Sequence, residues 1–475
     1  MDATVVYGRH TDCLLYFVSV ILVSFWIVIW LMHICALTNA KLKLNKRSYL
    51  LAANKRKTKT SSLTQIHEAD SVTPTTDMLS NLRTKTSYYN QNQDDNSHQY
   101  SYINLPLPGV SIIKPLMGVD RNLSNNLETF FLLDYPYYEL LFCVQDPEDA
   151  AILVVKELLK KFPQADAKLF IGGSRVGVNP KINNMQPAYE AMKYELVLIS
   201  DSGISMKPDT LLDMVTHMND DVALVHQMPF VNCRGRDSFQ SIVERVYFGT
   251  AHARAYLTAD LLNINCPTGM SALMRKCLLE EVGGIKAFGQ YLAEDFFFAK
   301  SFTERGWKIC ISSQPALQNS ANSSDTLAAL KSRIQRWIKL RFAMVPQWTL
   351  LEPFSECMLL GLLGALALSF LWPVNPYAVF LIHLVLWLGF DYNLICTVQG
   401  GPLTCSKLDF LLAWLLREST ALTVFITALL NPKVTWRSRE FRLKWGGYTE
   451  EIVGSTPLKA TVTTNAATYA VAAAG

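Results

Sequence analysis

Long runs of apolar residues mark the two ends of the chain, whereas the middle alternates between short apolar and polar stretches. Near the start, residues 14–36 contain no Asp, Glu, Lys or Arg, and an apolar helix of this length can cross a bilayer. A signal peptide has a shorter apolar region and a small-residue cleavage site. The pattern therefore predicts an uncleaved transmembrane anchor at residues 13–37, preceded by a short lumenal N-terminus at residues 1–12.

Three further apolar runs lie near the end of the chain, at residues 355–371, 377–397 and 409–430, and we group them as C-terminal membrane segments within 355–431. The first two are separated by WPVNP, which predicts a tight hairpin. The third contains the adjacent charges Arg417 and Glu418, and charged residues in membrane segments are usually functional or face protein. This run is predicted to be a membrane helix with a protein-facing side or, alternatively, an interfacial or buried helix.

Between the apolar ends, short strand-like runs alternate with helical patterns. The strand-like runs are GVSIIK, ELLFCVQ, AKLFIGG, YELVLIS and VALVHQM. This alternation predicts an α/β domain, assigned to residues 109–331, whose mostly parallel sheet is covered by helices on both faces. A sheet of this kind binds its ligands in the crevice at the carboxyl ends of its strands.

Two segments show no sustained apolar period. Residues 48–107 are rich in Ser, Thr, Asn, Gln and Lys, which predicts a flexible, basic and polar linker at residues 38–108. Residues 432–475 begin with a basic stretch and end in a low-complexity tail.

The distribution of charge around the anchor predicts its orientation. Before it, Arg9 is the only Lys or Arg, whereas eight Lys and Arg residues follow between Lys41 and Lys59. The positive-inside rule places the chain after the anchor in the cytosol. The ten cysteines are scattered and include no CxxC pair, which is typical of a reducing compartment. The net charge of +4 comes from basic residues beside the membrane segments, so we expect no nucleic-acid partner.

The side of the membrane that carries the tail depends on how many C-terminal runs cross. Three full spans would place the tail in the lumen. Five Lys and Arg residues between Lys433 and Lys444 follow the last run, however, and favour the cytosol. We therefore expect that one run does not cross fully and that the tail is cytosolic.

Charged residues occur where several predicted strands end. Lys114, Asp146 and Asp201 follow the apolar parts of the first, second and fourth strands. They are expected to project into one crevice, since parallel strands present their carboxyl ends at the same edge. Each has a structural alternative: the DPED segment at 146–149 suits a helix start with Asp146 as N-cap, and the DSG segment at 201–203 suits a turn.

A second acidic feature is the stretch YLAEDFFFAK, in which Glu294 and Asp295 precede three consecutive phenylalanines. An ionised carboxylate is costly to bury without a partner, and a solvated turn rarely carries three aromatic residues. The stretch therefore indicates a functional carboxylate beside an apolar surface. The structural alternative is that Asp295 caps a helix.

A basic and aromatic helix is predicted at residues 332–350. Its cations Arg333, Arg336, Lys339 and Arg341 alternate with apolar residues that include Trp337. This pattern suits a helix at the membrane surface with its cations toward lipid headgroups. It equally suits cations that reach a diphosphate in the crevice.

Several common site motifs are absent from the sequence. There is no P-loop, no GxGxxG fingerprint and no GxSxG elbow. No His/Cys cluster has zinc spacing. These absences exclude the standard forms of nucleotide-binding loop, serine hydrolase and structural zinc site.

The order of the acidic and basic motifs resembles a known pattern. Asp146, Asp201, Asp295 and the R-x-x-R-W segment at 333–337 resemble the D, D, D, (Q/R)xxRW motifs of membrane-embedded, inverting family 2-like glycosyltransferases with a GT-A fold. The segments CVQD, NPKINN, DSGI, VYFGTAH, TGMS, YLAED, RWIKLR and WRSREFRLKWGG are similar to those of ceramide glucosyltransferases.

This resemblance implies that glucose is transferred from UDP-glucose to the primary hydroxyl of ceramide with inversion, at a Golgi or ER/Golgi membrane. It implies that Asp146 contacts the nucleotide and that Asp201 faces the diphosphate and Mg²⁺ or Mn²⁺. Related enzymes often carry DxD at the second position, whereas here glycine replaces the second acid. A single carboxylate would leave the metal dependent on phosphate and water ligands.

For the chemistry, the resemblance implies that Asp295 is the general base. Its neighbour Glu294 is expected to orient the site or to point to solvent. The family pattern implies that Arg333, Arg336 and Trp337 hold the departing diphosphate or the acceptor. Further candidates for substrate binding are Lys114, Glu294, His252 and Thr268.

Two other functions are compatible with parts of the sequence. A processive polysaccharide synthase of the chitin or hyaluronan type shares the four motifs, but three short C-terminal runs are few for a polymer channel. A catalytically inactive membrane scaffold would not need the crevice aspartates, and all of them are present.

Overall fold

A computed structural model of the chain describes residues 3–46, 107–231, 238–319, 327–436 and 439–452, with side chains from Cys13 onward. The predicted linker from residue 47 to 106 and the tail from residue 453 lie outside the described residues.

The strands form a central sheet and two small sheets. The strands are β1 (Val110–Leu116), β2 (Tyr138–Val144), β3 (Ala167–Ile171), β4 (Leu196–Ser200), β5 (Ile204–Ser205), β6 (Val222–His226), β7 (Pro229–Val231), β8 (Ser271–Arg275), β9 (Lys308–Ile311), β10 (Ala316–Gln318), β11 (Lys433–Trp436), β12 (Arg439–Leu443) and β13 (Thr449–Glu451). The central sheet has the order β3-β2-β1-β4-β8-β6-β9. All its neighbouring pairs are parallel except the two that β8 makes with β4 and β6.

Helices cover the central sheet on both faces. The helices are α1 (Ala3–Lys43), α2 (Leu123–Phe131), α3 (Ala151–Lys161), α4 (Pro180–Ala191), α5 (Thr210–Thr216), α6 (Phe239–Tyr247), α7 (Ala253–Leu261), α8 (Lys276–Glu280), α9 (Glu294–Thr303), α10 (Leu327–Met344), α11 (Pro346–Thr349), α12 (Cys357–Leu371), α13 (Pro376–Gln399) and α14 (Lys407–Leu429). One apolar core lies under α2, α3 and α5, and a second lies under α4, α8 and α9. The predicted α/β fold class, with a mostly parallel sheet and apolar helices at both ends, is confirmed.

The anchor helix α1 continues beyond the predicted anchor. Its apolar part, Cys13–Lys43, has 31 residues, about 46 Å at 1.5 Å per residue, whereas a bilayer core is about 30 Å thick. At its C-terminal end, Asn39 Nδ2 and Lys43 Nζ lie 2.8 and 2.5 Å from the carboxylate of Asp260 on α7. The prediction that a flexible linker begins at residue 38 is therefore wrong, because the helix continues where it has partners in the α/β domain.

The three predicted C-terminal runs are the helices α12, α13 and α14. Helices α13 and α14 are long and apolar enough to cross a membrane. Helix α12 has 15 residues, about 22 Å, which is shorter than the bilayer core. Four residues separate α12 from α13, in agreement with the predicted hairpin.

Residues near both ends of α14 contact helices outside the C-terminal apolar group, α6 of the α/β domain and the basic helix α10. Before its first turn, Thr404 accepts a hydrogen bond from Arg245 of α6. Near its last turn, Thr427 accepts one from Gln335 of α10 at 2.8 Å. A helix that crossed the bilayer would carry these two ends to opposite sides. The contacts therefore favour the alternative of an interfacial or buried helix.

The charged pair on α14 faces protein. Arg417 and Glu418 are 7% and 4% exposed. Arg417 pairs with both Glu418 and Glu356, and Glu418 accepts a hydrogen bond from the backbone N–H of Cys357 at 3.1 Å. The prediction that these charges face protein rather than lipid is confirmed.

Candidate active site

The candidate site lies at the carboxyl end of β4. Asp201 follows this strand directly, and its backbone N–H donates to the carbonyl of Met270 at 2.9 Å. A small cavity beside it is lined by residues that include Lys181, Gly269, Glu294 and Asp295. The turn after β4, the start of α4 and the start of α9 therefore meet at one point.

The start of α4 places a buried cation in the site. The Asn179 side chain caps the helix by accepting from the backbone N–H of Lys181 at 2.7 Å, and Pro180 occupies the first helical position. Lys181 Nζ then lies 2.8 Å from Asp201 and 2.9 Å from Glu294. Burial by itself lowers the pKa of Lys181, but the two carboxylates outweigh this effect and the pKa is raised. Lys181 therefore remains a cation between two acids.

Glu294 is an internal part of the site. It is 5% exposed, and besides Lys181 it accepts a hydrogen bond from Asn179 Nδ2 at 3.0 Å. The expectation that Glu294 points to solvent is wrong, because Lys181 and Asn179 compensate the burial of its charge. The alternative expectation, that Glu294 orients the site, agrees with these contacts.

Asp295 occupies the first turn of α9 beside a glycine. A Cβ atom at Gly269 would lie 2.9 Å from Asp295 Oδ2, so only glycine leaves this carboxylate its space. Burial, together with the neighbouring charge of Glu294, raises the pKa of Asp295 to about 7. A general base is most effective when its pKa lies near the working pH, and a strongly shifted carboxyl in a cleft is a typical catalytic candidate.

The phenylalanines after Asp295 are mostly core residues. Phe297 and Phe298 are 9% and 2% exposed, and the ring of Phe298 packs edge-on against Phe288 at 4.7 Å. Phe296 is only partly buried and contacts the ring of Phe297. The aromatic run therefore fixes α9 to the sheet, and Phe298 also lines the small cavity beside Asp295.

Lys114 supports Asp201 from within the sheet. It is fully buried in β1, which continues to Leu116, and its Nζ donates to the backbone carbonyl of Asp201 at 2.7 Å and to Ser200 Oγ at 3.1 Å. Burial lowers the pKa of Lys114 well below its ordinary value. A direct contact of Lys114 with substrate remains a prediction.

Asp146 lies at the same edge of the sheet, after β2. It is exposed, and its carboxylate accepts from the backbone N–H of Glu148 at 3.0 Å. The alternative that Asp146 caps a helix is wrong, because α3 begins only at Ala151, whose N–H is bound by Asp149 at 2.8 Å. Strand β1 lies between β2 and β4, so Asp146 and Asp201 follow parallel strands that are two places apart in the sheet.

Thr268 shapes the turn before β8. It is 3% exposed, and its hydroxyl oxygen accepts from the backbone N–H of Met270 at 3.4 Å. The residue between them is Gly269, which faces Asp295. Thr268 therefore helps to hold the turn that places Gly269 beside Asp295.

An aromatic cluster extends from the site toward α13. It consists of Tyr247, Phe248, His252, Tyr256 and Trp337, whose neighbouring ring centroids are 4.4 to 6.5 Å apart. Between α6 and α7 the chain forms a π-helical turn, Phe248–His252, a feature that often marks functional sites. A Cβ at Gly249 in this turn would lie 2.4 Å from Ile395 of α13, so the turn packs directly on the C-terminal helices.

His252 is a neutral member of the aromatic cluster. Burial lowers the pKa of His252 to about 3, and the cations Arg341 and Arg333 act in the same direction. Its ring stacks on Tyr256 at 4.4 Å. Within the residues that the structure describes, its buried Nδ1 has no hydrogen-bond partner.

The cations of α10 face the protein. Arg333 pairs with Glu244 and lies 5.3 Å from the ring centroid of Trp337, while Arg341 makes two hydrogen bonds to Glu352, of 2.6 and 2.8 Å. Arg336 lies one turn after Arg333 on the same helix. For Arg333 and Arg341, the interpretation that the cations point to lipid headgroups does not agree with these pairs.

Most of the chain is similar in sequence to known proteins. Residues 76–449 match the family described as Glycosyl transferase family 21. Ceramide glucosyltransferase 3 of Caenorhabditis elegans is 50% identical over 343 residues, which are 72% of this chain and 74% of that protein. The chain belongs to glycosyl transferase family 21.

One further relative and one solved structure extend the comparison. Ceramide glucosyltransferase of Komagataella phaffii is 29% identical over 437 aligned residues, covering 73% of this chain and 86% of that protein. A mannosyltransferase from Pyrobaculum calidifontis, solved with GDP-Man and Mn²⁺, is 17% identical and covers 72% of this chain and 94% of that chain, with a TM-score of 0.40. A score this low does not transfer details of a ligand site.

Two central residues of this candidate site are not predicted by the sequence. Lys181 and Asn179 lie in the NPKINN segment, which indicates only the family resemblance. The Asn-Pro pair is a helix-start signal and would have located the beginning of α4. That Lys181 joins two acids from other segments depends on tertiary contacts, for which the local sequence carries no signal.

A divalent metal would find few protein ligands in this site. Among the described residues, no group of three or more His, Cys, Asp or Glu side chains is placed to hold a metal ion. The Asp201 side chain is 41% exposed, and one of its oxygens contacts Lys181. Asp201 therefore fits a metal that takes its other oxygen ligands from a diphosphate and water, which is how Mg²⁺ is commonly bound beside nucleotides.

Proposed function

We propose that this protein transfers glucose from UDP-glucose to the primary hydroxyl of ceramide, with inversion, and releases glucosylceramide and UDP. The observation that carries the proposal is the family 21 match over residues 76–449, which includes every candidate site residue from Lys114 to Trp337. The 50% identity to Ceramide glucosyltransferase 3 supports glucose and ceramide as the transferred sugar and the acceptor.

In the proposed reaction, Asp295 is the general base. Its carboxylate takes the proton from the primary hydroxyl of ceramide while the hydroxyl oxygen bonds to the anomeric carbon of glucose. The bond from that carbon to the diphosphate breaks on the opposite side, so the configuration inverts and UDP leaves. The pKa of about 7 for Asp295 supports this role, because the carboxyl is then both ionised and basic near neutral pH.

UDP-glucose is assigned to the edge of the sheet at β2 and β4, within a domain of GT-A type. Asp146 is exposed there for the nucleotide, and Asp201 faces the diphosphate. A Mg²⁺ or Mn²⁺ ion held by Asp201 and the diphosphate would neutralise charge on the leaving group. Lys181, 2.8 Å from Asp201, keeps that carboxylate oriented and adds positive charge near the phosphates.

Ceramide is assigned to the aromatic cluster between the site and α13. The cluster supplies an apolar surface, and the unpartnered Nδ1 of His252 offers an acceptor for a hydroxyl or amide N–H of the lipid. Trp337, Arg333 and Arg336 lie on the same side. Contacts between the π-helical turn and α13 support a route from the membrane, and we place the protein in Golgi or ER/Golgi membranes with its catalytic domain in the cytosol.

The test is an assay of the full-length protein in detergent with UDP-glucose, with and without a short-chain ceramide. We expect UDP release and glucosylceramide, detected by mass spectrometry, only when ceramide is present. Polymer formed without ceramide would support a polysaccharide synthase instead, and the absence of turnover would support an inactive scaffold. Asp295→Asn serves as the control for contaminating activity.

A further inference from the structure

The three C-terminal strands hold the loop that leads to Asp295. These strands, β11 to β13, form the small antiparallel C-terminal sheet. The backbone N–H of Thr449 donates to the carbonyl of Gln290 at 3.0 Å, and Tyr448 forms an antiparallel bridge with Tyr291. The loop residues immediately before α9 therefore extend this sheet by backbone pairing.

Apolar packing adds to this pairing. Leu292 of the loop is buried in one cluster with Val434 and Phe441 of the C-terminal sheet. The ring of Tyr291 lies 5.0 Å from that of Tyr448. The loop is thus fixed by side chains on both sides of its backbone bridge.

The turn between β12 and β13 touches α9 itself. In this turn, Trp445–Gly447, a Cβ at Gly447 would lie 2.7 Å from Cζ of Phe297 and 2.9 Å from Cγ of Met344. The adjacent Gly446 has the same φ of +81°, but a Cβ there would meet the Tyr448 ring at an ordinary 3.6 Å. Both glycines therefore have a positive φ that favours glycine. Only Gly447 also needs the absence of a side chain, because its turn packs closely on α9.

These contacts continue to the catalytic carboxylates. Phe297 lies on α9 two residues after Asp295, and its ring stacks on Tyr291 at 3.6 Å. The carbonyl of Tyr291 accepts from Asn179 Nδ2 at 2.7 Å, and the same nitrogen donates to Glu294. The start of α9 is therefore held between α4 on one side and the C-terminal sheet on the other.

We propose that Gly447 and Tyr448 are positioning residues for Asp295: the C-terminal sheet sets the place of the base although it does not touch the substrate. The inference rests on the proposed function, because it concerns the base of that reaction. A displacement of about 1 Å at a reacting group can lower the rate by about 10². Close packing at Gly447 would thus affect turnover through the position of Asp295, although the two residues are far apart in sequence.

The test compares Gly447→Ala with Gly446→Ala in the full-length protein, assayed with UDP-glucose and short-chain ceramide. Both changes place a side chain at the same strained φ, so they differ mainly in the contacts with Phe297 and Met344. We expect Gly447→Ala to lower kcat by about 10- to 100-fold while KM for UDP-glucose changes less than about twofold. The acid limb of its pH–rate profile should shift, because Asp295 leaves the surroundings that raise its pKa. Gly446→Ala should keep turnover close to that of the unmodified protein.

Hydrogen exchange provides a readout that does not depend on activity. Amides of residues 290–298 should exchange faster in Gly447→Ala than in Gly446→Ala. Adding Phe297→Leu to Gly447→Ala removes the ring atom that the new methyl meets, so part of the turnover should return. Equal kcat in the two glycine variants would overturn the proposal, as would faster exchange without a loss of kcat.

A further variant keeps the proposal testable if Gly447→Ala does not fold. Tyr448 is 52% exposed, so Tyr448→Ala should fold while it removes the ring from Tyr291. We expect its kcat to fall at least about threefold and the amides of residues 290–298 to exchange faster. An unchanged kcat together with an unchanged exchange rate would overturn the proposal. An unmodified protein that transfers no glucose would instead contradict the proposed function, and hydrogen exchange would still decide whether Gly447 and Tyr448 order the loop.

Discussion

The ammonium group of Lys181 lies 2.9 Å from a carboxylate oxygen of Glu294, and the two side chains are 12% and 6% exposed. Because Lys181 also contacts Asp201, this one side chain joins the starts of α4 and α9 to the end of β4. The charges of Lys181, Glu294 and Asp201 therefore form one hydrogen-bonded group. Substitution of any one of them changes the surroundings of the other two.

Removing the cation should destabilise the protein. Lys181→Met leaves the buried charge of Glu294 without its ion-pair partner, and such a loss typically costs about 3–5 kcal/mol. The matched control is Lys308→Met, since Lys308 and its partner Asp221 are 59% and 57% exposed and exposed ion pairs contribute little to stability. Thermal unfolding should separate the two variants. Adding Glu294→Gln should restore part of the loss. An equal effect of the two lysine changes would contradict the claim that Lys181 compensates the buried charge of Glu294.

Asp295→Asn should abolish most turnover and leave donor binding intact. The amide keeps the shape of the side chain but cannot accept a proton, so kcat should fall by about 10² to 10⁴. Glu294→Gln should cost less, because Glu294 orients the site through Lys181 and Asn179 without taking the proton. Steady-state kinetics and UDP-glucose binding measure both effects. Near-normal turnover of a folded Asp295→Asn protein would exclude it as the base.

Asp201→Asn should act on the donor and the metal. Asp201 is the exposed carboxylate at the end of β4, and its proposed partners are the diphosphate and a divalent ion. We expect a higher KM for UDP-glucose and a higher Mg²⁺ or Mn²⁺ concentration for half-maximal activity. A titration of each ion at fixed UDP-glucose checks this. An Asp201→Asn protein with unchanged metal dependence would remove Asp201 from the metal site.

The pKa of Asp295 predicts two pH effects. Activity should fall as the pH drops below about 7, since the base becomes protonated. The raised pKa also means that the folded state binds this proton more tightly than the unfolded chain. The resulting stabilisation is complete below the ordinary pKa of 3.8 and is lost as the pH rises through about 7. Asp295→Asn should therefore melt at a higher temperature than the unmodified protein at about pH 8, and the gap should narrow toward about pH 5. A gap that widens in acid would contradict this assignment.

The contacts of α14 predict the topology of the tail. Since α14 contacts α6 and α10 near its two ends and the C-terminal sheet pairs with the loop before α9, we expect a C-terminal tag to be digested by protease added to sealed microsomes. Protection of that tag without detergent would contradict the expectation. As a second check, the sequon at Asn122 should carry no glycan, because the domain is expected to face the cytosol.

The sheet could be predicted from the sequence because its strands are apolar over nearly their whole length. For β1, β2, β3, β4 and β6 the predicted and observed bounds differ by at most two residues at either end. The antiparallel direction of β8 was not predicted, because strand direction depends on how the preceding helices return the chain. The first turns of α4 were missed as well, since their buried polar residues Asn183 and Asn184 bond to backbone carbonyls of neighbouring segments and interrupt the apolar pattern.

The carboxylates of the site could be predicted from their places in the chain, but their partners could not. Asp201 and Asp295 stand where a strand ends and a helix begins, and both lie in the site. The link through Lys181 and the packing of Gly447 on Phe297 join residues that are far apart in sequence. Such contacts follow from the final packing, and no local pattern of residues encodes them.

The long anchor helix has a consequence for the order of assembly. Trp26 on α1 donates a hydrogen bond to His383, which lies 357 residues later, and His33 is fully buried 3.2 Å from Asp391. At synthesis rates of about 5–20 residues per second, α1 waits on the order of tens of seconds in the bilayer before these partners exist. The first segment made is thus among the last to reach its native packing. Nascent chains that stop before α13 would leave polar groups of α1 without their native partners.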